Sequence, residues 1–361
     1  MKIREIVCVV GARPNFIKIA PILEEIRRRP QLTGKLIHTG QHFSPEMSDL
    51  FFSELAIPHP DVNLGIGGGT QTQQTAEIML KVEPVLSQDR PNLVLIVGDV
   101  NSTLAAALVA AKLRIPIAHV EAGLRSFDRT MPEEINRIVT DALSDYLFAS
   151  EPAGVRNLLQ EGIPEERIFF VGNVMIDTLL RSRDKAAKSD VLERLHLEPG
   201  AFGVVTLHRP SNVDDPIRLK GLLQALVTLT ERLPLVFPVH PRTRQKMEGA
   251  GIPKGGFIFA PPLGYLDFVR LMTQARIVLT DSGGIQEETT ILQVPCLTLR
   301  ENTERPVTIE QGTNRLAGVD PAGIVHLAEE MLNSSPPASR VPELWDGRAS
   351  ARIVDVLLSR I

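Results

Sequence analysis

Acidic residues and a histidine follow short apolar runs in this chain of 361 residues. Asp99 and Glu121 each come directly after such a run, and Glu133 precedes Arg137 by four positions in the stretch "MPEEINRIV". Residues four apart lie on one face of a helix. Carboxylates and imidazoles are the groups that most often transfer protons in enzymes. The candidate acids and bases are therefore Asp99, Glu121, Glu133 and His208, with helix-dipole complementation as the alternative role of each carboxylate.

A second stretch, "DSGGIQEE" (281–288), has the composition of an anion site. Ser282, Gly283 and Gly284 stand where a strand would turn into a helix, and small residues let backbone N–H groups approach an anion at the positive helix end. Glu288, further into that helix, could hold ribose hydroxyls. A tight turn without a ligand is the alternative. Arg13, Arg209 and Arg305 could contribute positive charge to a diphosphate site, and Phe268 could stack on a base. The alternative role of each arginine is a surface ion pair, and the alternative role of Phe268 is core packing.

Short apolar runs alternate with helical patterns along most of the chain. The runs 93–97, 115–120 and 277–279 are apolar on both faces, which indicates parallel strands in an α/β, doubly wound architecture. Ligands of such sheets bind beyond the carboxyl ends of the strands. The residues predicted there are Arg13, Lys18, Gln41, His42, Asp99, Glu121, Arg125, His208, Arg209, His240, Arg242 and the segment 281–288.

The second half of the chain echoes the first. "VVGARPNFIKIAPILEEI" (9–26) is echoed by "VVTLHRPSNVDDPIRLKGLLQAL" (204–226), and "LIHTGQH" (36–42) by "LVFPVHP" (235–241). A chain of this length usually exceeds one core. We therefore predict two Rossmann-like domains that face a central cleft. The first covers residues 1–172, the second residues 173–346, and a C-terminal helix (347–361) packs back on the first.

Composition argues against several classes of protein. The net charge is −4, with no polybasic tract to attract nucleic acid or a membrane surface. No run approaches the ~18 apolar residues of a membrane span, and the N-terminus is too short in apolar length for a signal peptide, which predicts a cytoplasmic protein. Cys8 and Cys296 lie in apolar runs, where a buried, reduced role is expected. The sequence lacks the glycine fingerprint of an NAD site after its first strand, the P-loop motif, the Cys/His spacing of a zinc site and the GxSxG motif of hydrolases. Neither a cofactor nor a metal is therefore predicted.

A set of ordered motifs resembles one family. "GARPNFIK", "HTGQH", "GDVNST", "HVEAGLRS", "PEEINR", "TLHRPSN", "VHPRT" and "LTDSGGIQEE...ENTERP" occur in this order over residues 11–306, and together they are similar to the non-hydrolysing UDP-N-acetylglucosamine 2-epimerases. The resemblance implies the glycosyltransferase B-type fold. It also implies a reaction in which UDP-GlcNAc loses UDP to give 2-acetamidoglucal, and UDP then adds back to give UDP-ManNAc.

The resemblance also implies a role for each matching residue. Proton transfer at C2 is expected from the carboxylates, with Lys18 as an active-site cation and His208 as the catalytic histidine. No cofactor is needed, the partners are UDP-GlcNAc, UDP-ManNAc and UDP, and a homodimer is expected. The implied catalytic set is Asp99, Glu121, Glu133, His208 and Lys18, and the implied substrate-binding set is Arg13, Arg137, Phe268, Ser282, Gly283, Gly284, Glu288 and Arg305.

Departures from the family pattern keep other substrates open. Residues 208–211 read "HRPS" where many bacterial members read "HRRE", and Arg242 stands where many have asparagine. One alternative is a C2 epimerase of a related UDP-sugar, such as a 2,3-diacetamido uronate. A less favoured one is a UDP-sugar glycosyltransferase of the same fold. A nucleotide-sugar-binding regulator would not require the four candidate acids and bases together.

Overall fold

The computed structural model describes residues 3–40, 53–55, 57–239, 244, 247, 256–334 and 340–361, apart from the side chain of Arg13. The chain divides into two compact units, which we call unit 1 (Met1–Arg181 and Glu343–Ile361) and unit 2 (Ser182–Pro342). The predicted domain boundary between residues 172 and 173 lies nine residues before the end of the first segment of unit 1, and it stays a prediction.

Strands and helices alternate through the described residues, as the following bounds show. The strands are β1 (Arg4–Val10), β2 (Leu32–His38), β3 (Val62–Asn63), β4 (Leu93–Val97), β5 (Ile117–Val120), β6 (Tyr146–Ala149), β7 (Ile168–Phe170), β8 (Gly203–Thr206), β9 (Leu235–Pro238), β10 (Phe257–Ala260), β11 (Ile277–Thr280), β12 (Cys296–Thr298) and β13 (Asn314–Leu316). The helices are α1 (Arg13–Arg27), α2 (Gln71–Asp89), α3 (Asn101–Leu113), α4 (Pro132–Leu143), α5 (Pro152–Gln160), α6 (Val174–Ala186), α7 (Val191–Arg194), α8 (Pro210–Val213), α9 (Pro216–Leu229), α10 (Tyr265–Gln274), α11 (Gly283–Leu292), α12 (Val307–Glu310), α13 (Pro321–Asn333) and α14 (Ala349–Arg360).

Unit 1 contains a parallel sheet in the order β3-β2-β1-β4-β5-β6-β7. Alternate residues of β1 face opposite layers, as a strand requires. Ile6 and Cys8 pack in a core with residues of α1 and α14, whereas Val7 and Val9 pack in a core with residues of α2 and α3. Because helices cover both faces, the central strands are apolar throughout, and the predicted α/β class is confirmed.

Unit 2 contains a second parallel sheet, in the order β10-β9-β8-β11-β12-β13. Leu207, which follows β8, packs in one core with Leu222 and Leu226 of α9 and Ile324 of α13. The apolar stripe of α9, with residues buried at spacings of three and four, is the pattern that places a helix on a sheet.

The strand order reverses at one place in each sheet, between β1 and β4 in unit 1 and between β8 and β11 in unit 2. Loops that leave the carboxyl ends of such strands diverge to opposite faces and leave a crevice, which is where open α/β sheets bind ligands. The candidate residues Lys18, Asp99, His208 and Ser282 belong to these loops and the helices that follow them.

Two smaller sequence predictions concern the cysteines and the membrane. Cys8 and Cys296 are buried free thiols, as predicted, and burial raises the pKa of each to about 12. Across the described part of the chain, the helices are too short or too polar to span a bilayer.

Candidate functional site

Asn15 closes the turn between β1 and α1 and joins it to β4. Its Oδ1 accepts a hydrogen bond from the N–H of Ala12 at 3.0 Å, and its Nδ2 donates to the carbonyl oxygen of Val97 at 3.0 Å. The side chain is buried, so both bonds are shielded from water. Asn15 therefore fixes the first turn of α1, and with it Lys18, at the carboxyl end of β4. Sequence reasoning missed this residue, although it stands inside the "GARPNFIK" motif.

Lys18 forms a buried ion pair with Glu121, which follows β5. Only 7% of the lysine side chain and 3% of the glutamate side chain are exposed. Gly98 lies beside both: a Cβ on Gly98 would stand 3.0 Å from Lys18 Nζ and 3.5 Å from Glu121 Oε2, and its φ is +69°. A side chain at position 98 would be strained and would crowd the pair, so glycine suits this position. The structure thus brings two predicted site residues into contact.

Asp99 is held by α4. Its carboxylate accepts from Arg137 NH1 at 2.5 Å, and its backbone oxygen accepts from Asn136 Nδ2 at 2.8 Å. Arg137 also pairs with Glu134 at 2.6 Å, and both of these side chains are almost fully buried. The Asp99 side chain remains 27% exposed. Asp99 therefore combines a fixed carboxylate with a partly exposed side chain, which a ligand could reach.

Glu133 and Glu134 take different roles within the "PEEINR" stretch. Burial alone would raise the pKa of Glu134, but the Ser126 and Phe127 N–H groups and the charge of Arg137 hold that pKa below its usual range. Glu133 is half-buried, and the described residues offer its carboxylate no hydrogen-bond partner. Arg137, which shares a helix face with Glu133, thus makes its ion pairs with Glu134 and Asp99 instead.

A buried network supports the loops that carry the Asp99 and Glu121 carboxylates. His119 places Nδ1 at 2.6 Å from Asp141 Oδ1 and donates from Nε2 to the carbonyl oxygen of Gly98 at 2.8 Å. Arg125 lies 2.7 Å from Asp141 Oδ2 and forms a bidentate pair with Glu161. Burial would raise the pKa of Asp141, but the charges of His119 and Arg125 keep it low. Arg125, a candidate from its position after β5, therefore supports the loop from within.

In unit 2, Asp281 joins the loops that follow β8 and β11. Its buried carboxylate accepts the backbone N–H groups of His208 and Arg209 at 3.0–3.1 Å, and it lies 2.7 Å from His208 Nδ1. Burial would raise the pKa of Asp281, yet its bonds to His208 and the Arg209 N–H hold it below the usual range. The imidazole of His208 remains 63% exposed. His208 is thus fixed through Nδ1 while most of its surface stays accessible.

The N-terminus of α11 lies against a cluster of buried charges. Ser282 is the N-cap, and its side chain makes no capping hydrogen bond. A Cβ on Gly283 would stand 2.4 Å from Arg305 NH1, so the guanidinium packs directly against the helix start. Arg305 lies 2.7 Å from Glu287 and 2.5 Å from Glu304, and Glu304 also lies 3.3 Å from Arg209. The predicted site residues Arg209 and Arg305 thus both form ion pairs with carboxylates. Glu304 belongs to this charged cluster and was missed by sequence reasoning.

Glu288 lies in the second turn of α11 and is 3% exposed. Tyr265 OH donates to Glu288 Oε1 at 2.8 Å. Burial raises the pKa of Glu288 to about 7, with the hydrogen bond from Tyr265 opposing and the charge of Glu287 adding to the rise. Phe268 is half-buried on α10, one turn after Tyr265 and on the same face of that helix. The aromatic and acidic candidates for a nucleoside site are therefore close in unit 2.

Some predicted residues lie outside the described residues, namely Gln41, His42, His240 and Arg242, together with the side chain of Arg13. Within the described residues, no group of three or more His, Cys, Asp and Glu side chains could hold a metal ion. The remaining arrangement offers carboxylates and a lysine for proton transfer in unit 1. In unit 2 it offers an imidazole, a helix N-terminus and buried arginines for an anion.

Known proteins are similar to this sequence over most of its length. The family model described as UDP-N-acetylglucosamine 2-epimerase matches residues 24–358. The chain belongs to the UDP-N-acetylglucosamine 2-epimerase family. Its relatives include the UDP-N-acetylglucosamine 2-epimerase of Methanocaldococcus jannaschii, 41% identical over 97% of both chains. The UDP-2,3-diacetamido-2,3-dideoxy-D-glucuronate 2-epimerase of Pseudomonas aeruginosa is also 41% identical, over 98% of this chain and 99% of that protein.

Solved structures of this epimerase family match the fold as well. The M. jannaschii enzyme in complex with UDP-GlcNAc and UDP gives a TM-score of 0.93 at 41% identity, with 98% of this chain and 99% of that chain covered. The Neisseria meningitidis enzyme bound to UDP-GlcNAc gives a TM-score of 0.90 at 31% identity, with 99% and 100% covered. The predicted family and the glycosyltransferase B-type fold class are both confirmed.

Proposed function

We propose that this chain interconverts UDP-GlcNAc and UDP-ManNAc by inversion at C2, without net hydrolysis. The observation that carries the proposal is the pair of fixed carboxylates in unit 1. Glu121, paired with Lys18, lies against Gly98, and Gly98 directly precedes Asp99, which is paired with Arg137. Each carboxylate is held in place by its cationic partner. Epimerisation at a C–H centre requires one group that removes the proton and another that returns it on the opposite face.

In the proposed elimination, a carboxylate takes the C2 proton and the C1–O bond breaks, so that the electron pair leaves with UDP. The product is 2-acetamidoglucal. In the reverse step a UDP oxygen adds to C1, and C2 receives a proton on its other face. Asp99, Glu121 and Glu133 are the proposed proton-transfer groups. Lys18 holds Glu121, and Arg137 holds Asp99 and is the proposed substrate-binding residue of α4.

The leaving diphosphate needs fixed positive charge and N–H donors. We assign this task to the N-terminus of α11, with Ser282, Gly283 and Gly284, and to Arg305. Arg13 stays a UDP ligand predicted from the family resemblance. His208 would stabilise the departing diphosphate, because Asp281 accepts from Nδ1 and leaves the rest of the imidazole exposed. Glu288 would bind the ribose and Phe268 the uracil. Several of these roles involve separate elements of unit 2 joined by the hydrogen bonds described above.

Nuclear magnetic resonance of the sugar in D2O tests this proposal. Incubation with UDP-GlcNAc and no added cofactor is expected to give UDP-ManNAc with deuterium at C2. Accumulation of free UDP with free sugar would mean hydrolysis, and an unchanged spectrum would mean that UDP-GlcNAc is not a substrate. Asp99→Asn and Glu121→Gln are expected to lose most turnover while they retain the far-UV circular dichroism of the parent.

A second substrate has a specific observation in its favour. The Pseudomonas relative, a UDP-diacetamido-glucuronate epimerase, is as similar to this chain as the M. jannaschii relative is. Sequence identity to these relatives therefore does not decide which of the two UDP-sugars is the substrate. Measurement of kcat/KM for both UDP-sugars decides between them. A glycosyltransferase of the same fold would give neither epimer and would release UDP only in the presence of an acceptor.

The assembly and the location of the protein also remain proposals. A homodimer and a cytoplasmic location are predicted from the sequence and its family resemblance. Sedimentation velocity of the full chain tests the dimer: a single species of about 40 kDa would contradict it, since one chain has a mass of 39.7 kDa.

A further inference from the structure

Phe127 combines two unfavourable features. Its side chain is 76% exposed, and its φ is +59°. The left-handed region crowds Cβ against the carbonyl oxygen, so a bulky residue there is uncommon and invites a functional explanation. Other residues with positive φ, such as Arg114 and Gln293, are helix C-caps, where this conformation is ordinary. Phe127 instead lies in the loop between β5 and α4.

A buried carboxylate holds Phe127 in this conformation. Glu134 Oε1 accepts the N–H of Phe127 at 2.9 Å, and Oε2 accepts the N–H of Ser126 at 3.0 Å and its hydroxyl at 3.1 Å. Glu134 is 1% exposed. Placing a charge in the interior is costly unless it is bonded in this way. The loop conformation is therefore maintained by a dedicated, fully engaged side chain.

The same carboxylate connects Phe127 to the proposed proton-transfer site. Glu134 Oε2 lies 2.6 Å from Arg137, and Arg137 lies 2.5 Å from the Asp99 carboxylate. The backbone of Phe127 is thus three hydrogen bonds away from Asp99. The loop that presents the exposed ring is therefore tied to the residues that hold Asp99. Aromatic rings bury large apolar areas, and a pyranose C–H face or an acetamido methyl group offers such a surface.

We propose that Phe127 is a specificity-determining residue that packs its ring on the apolar surface of the sugar of a nucleotide sugar. The inference rests on the proposed function for the identity of the ligand. It assigns Phe127 to the sugar and not to the UDP, since the link through Arg137 leads to Asp99 in unit 1. An interface with a second copy of the chain is the competing use of an exposed ring.

Two substitutions separate the ring from the strain. Phe127→Leu keeps the unfavourable φ and a large apolar side chain but removes the ring, and Phe127→Gly removes both the ring and the strain. Phe127→Gly is expected to raise the midpoint of thermal unfolding, since glycine accepts positive φ freely. Arg114→Gly, at the exposed C-cap of α3 with φ +56°, is the matched control for strain relief. It is expected to raise the midpoint without a change in activity.

The decisive measurement compares ligands with and without the sugar. For Phe127→Gly, KM for the UDP-sugar and its Kd by titration calorimetry are expected to rise about tenfold, the scale of one lost apolar contact. Phe127→Leu keeps an apolar side chain and is expected to show a smaller rise in both constants. The Kd of UDP is expected to stay within about twofold of the parent. Unchanged sugar affinity in both variants would overturn the inference, as would an equal loss for UDP and UDP-GlcNAc.

These experiments can refute the proposed function and the role of Phe127 independently of each other. If no UDP-sugar is epimerised but Phe127→Gly still weakens UDP-GlcNAc more than UDP, the proposed function fails and the role of Phe127 stands. If epimerisation is normal in both Phe127 variants, the proposed function stands and the role of Phe127 is refuted. A smaller sedimenting species with unchanged KM would assign the ring to contact between copies of the chain.

Discussion

Replacement of Lys18 by methionine is expected to destabilise unit 1 strongly, because it removes the cation that faces the buried Glu121 carboxylate. Removal of one partner of a buried ion pair typically costs about 3–5 kcal/mol, since the other charge stays in the interior. The low exposure of both side chains, 7% and 3%, places this pair in that class. The pair of Lys35 and Asp89, with 26% and 19% exposed, belongs nearer to surface pairs, which contribute about 0–1 kcal/mol.

The chain contains one tryptophan, Trp345, which reports on unit 1 alone. Its indole is buried, and Nε1 donates to the carbonyl oxygen of Ser150 at 2.9 Å. Urea unfolding followed by tryptophan fluorescence therefore measures this unit even though the chain has two. A loss of about 3 kcal/mol divided by a slope of about 3 kcal/mol per molar urea shifts the midpoint by about 1 M.

Two further variants make the measurement specific to the pair. Lys35→Met is the matched control and is expected to shift the midpoint by no more than about a third as much as Lys18→Met. The double variant Lys18→Met/Glu121→Gln is expected to recover most of the loss, because it removes both buried charges. Equal midpoints for Lys18→Met and Lys35→Met would refute the reasoning. So would a double variant less stable than Lys18→Met alone.

Three other measurements address the site. Asp99→Asn and Glu121→Gln are each expected to lower the rate of C2 deuteration about 100-fold or more, the contribution of a positioned acid or base; rates near the parent in both would remove them from the mechanism. Gly283→Ala is expected to weaken UDP about tenfold or more, because its Cβ would stand 2.4 Å from the Arg305 guanidinium; an unchanged Kd by calorimetry would speak against the phosphate site. Glu288 has a pKa raised from about 4.5 to about 7, so the folded state binds the extra proton and stability falls as pH rises between these values. The free energy of unfolding of Glu288→Gln minus that of the parent is therefore expected to rise by about 3 kcal/mol from pH 4.5 to pH 7, measured by urea unfolding with far-UV circular dichroism, and a flat difference would contradict the burial argument.

Much of the fold could be predicted because its main strands are buried on both faces. The run 93–97 coincides with β4, and 277–279 lies within β11 (Ile277–Thr280). A strand covered by helices on both sides has to be apolar at every position, so its bounds are visible in the sequence. The residue after such a strand lies at the carboxyl edge of the sheet by topology alone. This is why Glu121 and Asp99 could be assigned to one edge before any contact was known.

The partners of the charged residues could not be predicted in the same way. Arg137 lies four positions from Glu133, and helix spacing makes that pair plausible. In the structure Arg137 reaches Asp99, 38 positions away, and Glu134, because the loop after β5 draws Glu134 inward through two backbone N–H groups. Burial and pairing of charges depend on which loops meet at the sheet edge. The spacing of residues along the sequence does not show which loops meet there.

The echo between the two halves extends to the strand switch, where a neutral side chain in unit 1 corresponds to a charged one in unit 2. In unit 1 the neutral amide of Asn15 bridges the first and fourth strands of the repeat, by accepting from the α1 turn and donating to Val97. In unit 2 the carboxylate of Asp281 bridges the corresponding strands by accepting N–H groups from the loop after β8. The amide of Asn15 adds no charge near the Glu121 carboxylate, whereas the buried Asp281 carboxylate is bonded by backbone N–H groups and by His208 Nδ1. The neutral bridge of unit 1 therefore suits a site for proton transfer. The bridge of unit 2 holds His208 on Asp281 and suits a site for an anionic ligand.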